Sequence, residues 1–325
     1  MTADTSPALW HLAPGVSAIR PGAVGDGAAE LRMIRSALSR GTERLVRAGR
    51  VPESEHERMR GPAMEGAFPF PVKYGYCAVA EVISGPEALV GRQVFTLHPH
   101  QARFRADPAA LLPLPGGLPP ARATLTANME TALNAAWDGG IGPGDRVAVI
   151  GGGVVGTLIA RLCARMPGVE VWLSDLSPRR AAGAEDLGAR ALAPGAALEG
   201  LDAVFETSAS AAGMAAALGM LGDEGALVSV GWHGAGETPL PLGGAFHSRR
   251  LRVVSSQVGR LPPARAPRWD YRRRLAAAAQ LLAEDPGADA LIGEEVALED
   301  LPGALDRLLS EDAPGATAVV RYDGA

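Results

Sequence analysis

Three glycines, Gly151, Gly153 and Gly156, have the spacing Gly-x-Gly-x-x-Gly, with a short apolar segment before them and an amphipathic segment after them. A second apolar segment ends at Asp175, about twenty residues further on. Between a strand and a helix, such glycines permit a tight turn and a close approach of the backbone to phosphate, and the helix N-terminus attracts negative charge. The pattern therefore predicts a turn that binds the pyrophosphate of a dinucleotide.

Asp175 indicates which dinucleotide this turn prefers. A carboxylate at this position accepts hydrogen bonds from the adenosine ribose hydroxyls and repels a 2′-phosphate, so the sequence predicts NAD(H) rather than NADP(H). Arg179 and Arg180 oppose this prediction, because an arginine nearby can hold a 2′-phosphate. Both arginines also fit the solvated first turn of a helix that is capped by Ser177.

The segments around the turn alternate between strand and helix patterns. The strand-like segments are 145–150, 169–174, 201–206, 225–230 and 251–256, and the helical patterns are 154–166, 178–187 and 210–221. This alternation is typical of a doubly wound parallel sheet with helices on both faces, so the predicted fold class is α/β.

The first third of the chain has a different pattern. Strand-like runs occupy 29–38, 77–85 and 91–100, a Pro- and Gly-rich loop is predicted at 57–76, and helices are predicted at 119–138 and 271–285. The economical organisation is a β-rich domain, 1–125, that is completed by 292–325 and carries an inserted α/β domain, 126–291.

Composition excludes several classes of protein. The net charge of −5 argues against a nucleic-acid partner. The two cysteines, Cys77 and Cys163, are too few for a disulfide framework or a four-cysteine metal site, and Cys163 is expected in the core. We see no signal-peptide pattern and no apolar run of membrane-spanning length. We therefore expect a cytoplasmic protein with a small-molecule substrate and no membrane partner.

Several segments resemble, in order, those of the medium-chain dehydrogenase/reductase superfamily, the alcohol-dehydrogenase-like family. They are "ALSRGTERL", "KYGYCAVAEV", "GRQVF", "GPGDRVAVIGGGVVG", "LSDLSPRRAAGAEDLGA", "VFETSAS" and "EGALVSVGW". The resemblance implies a GroES-like catalytic domain plus a Rossmann NAD-binding domain, and a homodimer formed near 251–256. The predicted cofactor-binding residues are Gly151, Gly153, Val154, Val155, Gly156, Asp175, Thr131, Ser208 and Trp232.

The zinc positions of this family are altered. Catalytic zinc in the family needs three protein ligands, usually cysteine, histidine and cysteine. The matching positions carry Arg40, Tyr76 and, approximately, Ala127, and Cys77 stands in place of a glutamate. The resemblance therefore implies a zinc-lacking member. In "SRGTE" and in its tyrosine the chain is most similar to bacteriochlorophyllide-dehydrogenase-like and threonine-dehydrogenase-like sequences.

Without zinc, side chains must polarise a carbonyl oxygen and supply a proton. The resemblance gives Thr42 the role of the family's proton-relaying hydroxyl and places His98 at a pocket-lining position. Tyr76 either donates from its phenol or only fills the space of a ligand, and Arg40 either binds an oxyanion or pairs with Glu43. The predicted catalytic residues are Thr42, Tyr76, Arg40, His98 and Glu130.

Three functions follow from these features. The leading one is a zinc-independent oxidoreductase that moves a hydride between NAD(H) and an alcohol/carbonyl pair or an activated double bond. The second is an NAD-dependent enzyme that oxidises its substrate transiently, with no net redox change. The third is a non-catalytic NAD-binding protein, in which loss of the zinc ligands marks loss of activity.

Overall fold

The computed structural model describes residues 4–322 and separates the chain into two compact units. The first unit comprises Met1–Ala127 and Leu275–Ala325, and the second unit is Asn128–Arg274. The predicted second domain extends to residue 291, beyond the observed unit. Arg122 of the first unit accounts for this difference, because it donates two hydrogen bonds of 2.7 Å to Asp289 and one of 3.3 Å to the Leu282 carbonyl.

The first unit begins with short strands and few helices. In chain order they are β1 (Thr5–Ala13), β2 (Val16–Ala23), β3 (Ala29–Ala37), α1 (Arg40–Arg47), α2 (His56–Met59), β4 (Glu65–Gly66), β5 (Val72–Lys73), β6 (Ala78–Ser84), β7 (Gln93–Thr96), β8 (Arg103–Ala106), β9 (Leu112–Pro113) and α3 (Pro120–Ala123). Short 3₁₀ helices lie at Glu53–Glu55 and Pro108–Ala110.

Strands and helices alternate through the second unit. They are α4 (Thr126–Gly139), which starts just before the unit boundary, then β10 (Arg146–Ile150), α5 (Val154–Ala164), β11 (Glu170–Ser174), α6 (Pro178–Ala182), β12 (Arg190–Ala191), β13 (Leu201–Glu206), α7 (Ala211–Met220), β14 (Leu221–Ser229), α8 (Ala245–Ser248) and β15 (Arg252–Ser255). The chain then continues through α9 (Tyr271–Ala283), β16 (Ile292–Ala297), α10 (Leu301–Leu308) and β17 (Thr317–Arg321). Two more 3₁₀ helices lie at Glu185–Leu187 and Pro286–Leu291.

The second unit confirms the predicted α/β architecture. Its six strands form one sheet in the order β12-β11-β10-β13-β14-β15, and every pairing in it is parallel. The central strands are apolar and buried on both faces, as parallel strands between helices must be. Cys163 on α5 is fully buried, which confirms its predicted place in the core. The strand order brings the carboxyl ends of β10, β11 and β13 to one edge.

Two sheets build the first unit. One has the strand order β2-β1-β5-β4, and the other has the order β16-β17-β3-β6-β7-β9, with β8 also pairing with β3. Strand β17 joins β3 by antiparallel pairing, so the C-terminal segment completes the first unit. Leu31, Phe104 and Leu305 are among the fully buried side chains of the core between strands and α10.

Local side-chain chemistry explains two differences between the predicted and the observed secondary structure. The predicted helix 119–138 is two helices, α3 and α4, because the hydroxyls of Thr124 and Thr126 donate to the carbonyls of Ala121 and Ala123 at 2.6 and 2.7 Å and compete with the backbone. Strands β1 and β2 were not expected, since prolines, which cannot donate to a ladder, lie opposite each other at Pro7 and Pro21. Within residues 4–322, no helix is both long enough and apolar enough to cross a membrane.

Candidate functional site

The glycine turn of the second unit joins the end of β10 to the start of α5. Gly151 has φ +104°, and a Cβ there would lie 2.8 Å from the Ser208 amide nitrogen. A Cβ on Gly156 would lie 1.9 Å from the Gly151 carbonyl oxygen, so only glycine lets helix and strand pack this closely. Gly153 caps α5 with φ −74°, and a Cβ there would meet no heavy atom within 4 Å. The turn therefore has a tight base and an open side at the helix N-terminus.

Asp175 lies beside this open turn, directly after β11. Its Oδ2 accepts a hydrogen bond of 2.6 Å from the Gly152 N–H, and its Oδ1 accepts one of 2.7 Å from the Ser177 N–H. The guanidinium of Arg180 lies 3.5 Å from Oδ2. The carboxylate is thus held at the edge of the turn, and the side chain of one arginine lies next to it.

The other predicted cofactor residues have varied surroundings. Val154 is buried in the first turn of α5 and Val155 is only partly buried. Thr131 is partly buried on α4, and Ser208 is exposed. Trp232 is 37% exposed, which excludes a place in the core.

The sequence analysis did not predict Glu206, the last residue of β13, as a candidate site residue. Its fully buried carboxylate accepts hydrogen bonds from the hydroxyl and from the N–H of Ser208, the latter at 2.9 Å. Its second oxygen lies 3.5 Å from Nε2 of His233, and neither of these two atoms has a hydrogen-bond partner among residues 4–322. The only sequence signal was an acidic residue at the end of an apolar strand.

In the first unit, Tyr76 and Thr42 are brought together. The Tyr76 hydroxyl donates to Thr42 Oγ1 at 3.3 Å, and it also hydrogen-bonds the Ser39 side chain. Burial, reinforced by Cys77 and Tyr74, raises the pKa of the Tyr76 phenol well above its usual range, although the hydrogen bonds with Ser39 and Thr42 oppose this. The phenol is therefore neutral near pH 7 and can act as a proton donor.

Arg40 is held by backbone. It begins α1, is 7% exposed, and donates two hydrogen bonds of 2.7 Å to the carbonyls of Pro314 and Gly315. These contacts join α1 to the turn before β17.

His98 and Glu130, two of the predicted catalytic residues, each contact other groups of their own unit. The His98 ring stacks on Phe104 at 3.7 Å and hydrogen-bonds the Pro99 carbonyl at 3.0 Å, and burial lowers its pKa to about 3. Glu130, on α4 in the second unit, accepts a 3.0 Å hydrogen bond from Arg274 Nε. Burial raises the pKa of Glu130 and Arg274 opposes the shift. Arg274 also donates hydrogen bonds to Asn134 and to the Val258 carbonyl. Glu130 is therefore part of a buried hydrogen-bond network around Arg274.

A series of hydrogen-bonded polar side chains in the first unit was not predicted from the sequence. Glu43 Oε2 lies 3.2 Å from His100 Nε2, and His100 Nδ1 lies 2.7 Å from Ser36 Oγ. The Ser36 hydroxyl lies 2.7 Å from that of Tyr322. Glu43 thus has His100 as its side-chain hydrogen-bond partner, whereas the sequence suggested Arg40.

The comparisons with known proteins agree with this architecture. Residues 154–282 match the family described as zinc-binding dehydrogenase. The structure of L-idonate 5-dehydrogenase from Escherichia coli superimposes with a TM-score of 0.80, over 98% of this chain and 99% of that one, at 15% identity. The family match thus covers the second unit and the start of the segment after it, and the likeness to the solved structure shows a common fold along the whole chain. No curated protein sequence matches it significantly.

Two further solved structures with this fold contain nicotinamide cofactors. A putative zinc-binding dehydrogenase from Sinorhizobium meliloti bound to NADP has a TM-score of 0.75 and 18% identity, with 98% of this chain and 99% of that chain covered. An E. coli protein described as a short chain alcohol dehydrogenase, complexed with NADH, has a TM-score of 0.79 and 12% identity, with 98% and 100% covered. At these identities the likeness concerns the fold.

The residues that the resemblance aligns with zinc ligands do not fit the metal. Arg40 is a cation already bound to two carbonyls, Tyr76 is a neutral phenol, and Ala127 has no donor atom. Burial and then the charge of Glu43 raise the pKa of the Cys77 thiol well above its usual range, so this group resists becoming the thiolate that zinc requires. Within residues 4–322, no group of three or more His, Cys, Asp or Glu side chains is placed to hold a metal ion.

Proposed function

We propose that this chain is a zinc-independent, NAD(H)-dependent oxidoreductase. It would transfer a hydride between the nicotinamide and an alcohol/carbonyl pair, or an activated double bond, of a small metabolite. One observation carries this proposal: Tyr76, in place of a zinc ligand, hydrogen-bonds Thr42, which matches the family's proton-relaying hydroxyl. A phenol and a hydroxyl in contact can supply the proton that hydride transfer to a carbonyl requires.

The residues of each unit have distinct roles in this proposal. The glycine turn and the N-terminus of α5 would hold the pyrophosphate, and Asp175 would hold the adenosine ribose. The bound nicotinamide supplies the hydride acceptor or donor. In the direction of carbonyl reduction, Tyr76 would give its proton to the carbonyl oxygen, and the partly exposed Thr42 hydroxyl would pass a replacement proton from solvent to the phenolate.

The decisive experiment is a panel of alcohols and carbonyl compounds, assayed through the absorbance of reduced nicotinamide. Net change in this absorbance during turnover supports the proposal. Substrate conversion without such a change would favour the enzyme with transient oxidation. Intact NAD binding with no conversion of any compound would favour a non-catalytic binding protein.

The charge of Asp175 predicts the cofactor preference. NAD(H) is expected to bind at least tenfold more tightly than NADP(H), about 1.4 kcal/mol, because the 2′-phosphate would meet a carboxylate held in place by two backbone N–H groups. Titration of the protein with NADH and NADPH, followed by nicotinamide fluorescence, measures both affinities. Asp175→Asn should reduce the ratio of NADH to NADPH affinity. Equal affinities of the wild type for the two cofactors would contradict the predicted preference for NAD(H).

The donor set at the former zinc positions predicts the metal content. Purified protein is expected to contain no stoichiometric zinc, and chelators should leave its activity intact, because Arg40, Tyr76 and Ala127 offer no thiolate or imidazole. Elemental analysis and an assay after dialysis against a chelator test this. One zinc per chain would show that other residues bind the metal.

A further inference from the structure

The Glu43–His100 pair has no part in the proposed function, although it is among the most deeply buried polar pairs of the first unit. Both side chains are 1% exposed. Each His100 nitrogen has a partner, with Glu43 on one side and Ser36 on the other. A buried carboxylate needs such donors, so the ring orientation and the carboxylate position fix each other.

Two routes of contact lead from this pair to Tyr76. In the first, Glu43 Oε1 accepts a 2.8 Å hydrogen bond from the N–H of Ser39, the residue that precedes α1. Ser39 and Thr42 are the two residues whose side chains hydrogen-bond the Tyr76 phenol. The carboxylate therefore fixes the helix turn that carries both partners of the phenol.

The second route runs through the backbone. Gly75, which immediately precedes Tyr76, has φ +133°. A Cβ on Gly75 would lie 3.0 Å from His100 Cδ2 and 3.2 Å from the His100 amide nitrogen. The imidazole thus packs directly against the peptide that leads into Tyr76, and a larger residue at position 75 would push it away.

We propose that His100 and Glu43 are positioning residues that hold the Tyr76 phenol in place for proton transfer. This inference rests on the proposed function, in which Tyr76 is the proton donor. His100 acts through two contacts. It hydrogen-bonds Glu43, which fixes the helix turn of Ser39 and Thr42, and its ring packs against the backbone at Gly75. Ser36 and Tyr322 complete the arrangement by fixing the far side of the ring.

The test uses the full chain with ¹³C-labelled tyrosine ring carbons. The chain has four tyrosines, so Tyr76→Phe assigns its signal directly. In His100→Gln, which keeps a donor but loses the ring, the Tyr76 signal is expected to move by more than its line width, whereas that of Tyr271 in the second unit stays. An unchanged Tyr76 signal in a folded His100→Gln protein would overturn the proposal, whatever the loss of stability.

Conservative variants separate positioning from simple packing. Glu43→Asp keeps the charge and should leave the Tyr76 signal closer to the wild-type position than Glu43→Gln does. His56→Gln is the matched control, because His56 is a partly buried histidine of the same unit that hydrogen-bonds the Val51 carbonyl. It should leave the Tyr76 signal unchanged.

If His100→Gln does not fold, Ser36→Ala provides a second variant. It removes only the hydroxyl that hydrogen-bonds the His100 ring and should move the Tyr76 signal less, in the same direction. No movement there would also overturn the proposal.

Kinetics provide a second measurement once a substrate is found. His100→Gln should lower kcat about tenfold or more, with KM and NADH affinity unchanged, because a misplaced donor affects the transition state and not the binding of ligands. The labelled-tyrosine experiment needs no substrate. Failure to find activity would therefore count against the proposed function and leave the positioning of Tyr76 to be decided by its own result.

Discussion

Tyr76→Phe is expected to lower turnover about a hundredfold, the lower end of the range for losing a general acid. The substitution removes one oxygen, the atom that contacts Thr42 at 3.3 Å, and keeps the ring that packs edge-on against Tyr74. Thr42→Val should have an effect of similar size, since it removes the hydroxyl that returns the proton to Tyr76. Steady-state kinetics with the best compound from the panel measure both effects.

Binding of NADH controls this experiment. Its affinity should be nearly the same in Tyr76→Phe, Thr42→Val and the wild type, because neither residue belongs to the glycine turn. The double variant should be little slower than either single variant if the two hydroxyls act as one relay. Wild-type turnover in Tyr76→Phe would show that the ring only fills the space of a former zinc ligand.

Gly153→Ala should weaken NADH binding by about 10- to 100-fold, which corresponds to about 1–3 kcal/mol of steric cost. The methyl group would enter the open space at the N-terminus of α5, where a pyrophosphate would approach the backbone. The fold should not suffer, since φ at this position is −74° and a Cβ there meets no atom within 4 Å. Alanine is a poorer N-cap than glycine, so the substitution should lower the free energy of unfolding by only about 1 kcal/mol or less.

Gly219→Ala is the matched control for this prediction. Gly219 lies on α7 in the same unit, and a Cβ there also meets no atom within 4 Å. It should leave the NADH affinity unchanged, as measured by fluorescence titration. Unfolding in denaturant should show that Gly219→Ala is at least as stable as the wild type and that Gly153→Ala remains folded. Wild-type affinity in Gly153→Ala would place the nucleotide elsewhere.

The sequence predicted features that depend on neighbours along the chain. The glycine turn follows from local spacing, and the structure explains each glycine by a clash or an open space around its Cα atom. The polar partners were harder to predict, because they join residues far apart. Glu43 meets His100 across 57 positions and Glu130 meets Arg274 across 144, so no local pattern could have paired them. Tyr76 and Thr42 were each named through the family resemblance, and their contact was not predicted.

The buried position of Lys73 has a practical consequence for chemical labelling. Lys73 is the only lysine in the chain, among thirty arginines. Its side chain is 1% exposed, and its ammonium contacts Glu65 and the Gln101 amide oxygen, the latter at 2.6 Å. The folded chain therefore presents no lysine side chain to amine-reactive reagents. Modification of Lys73 would report opening of the first unit, and cross-linkers for this protein should be aimed at carboxylates.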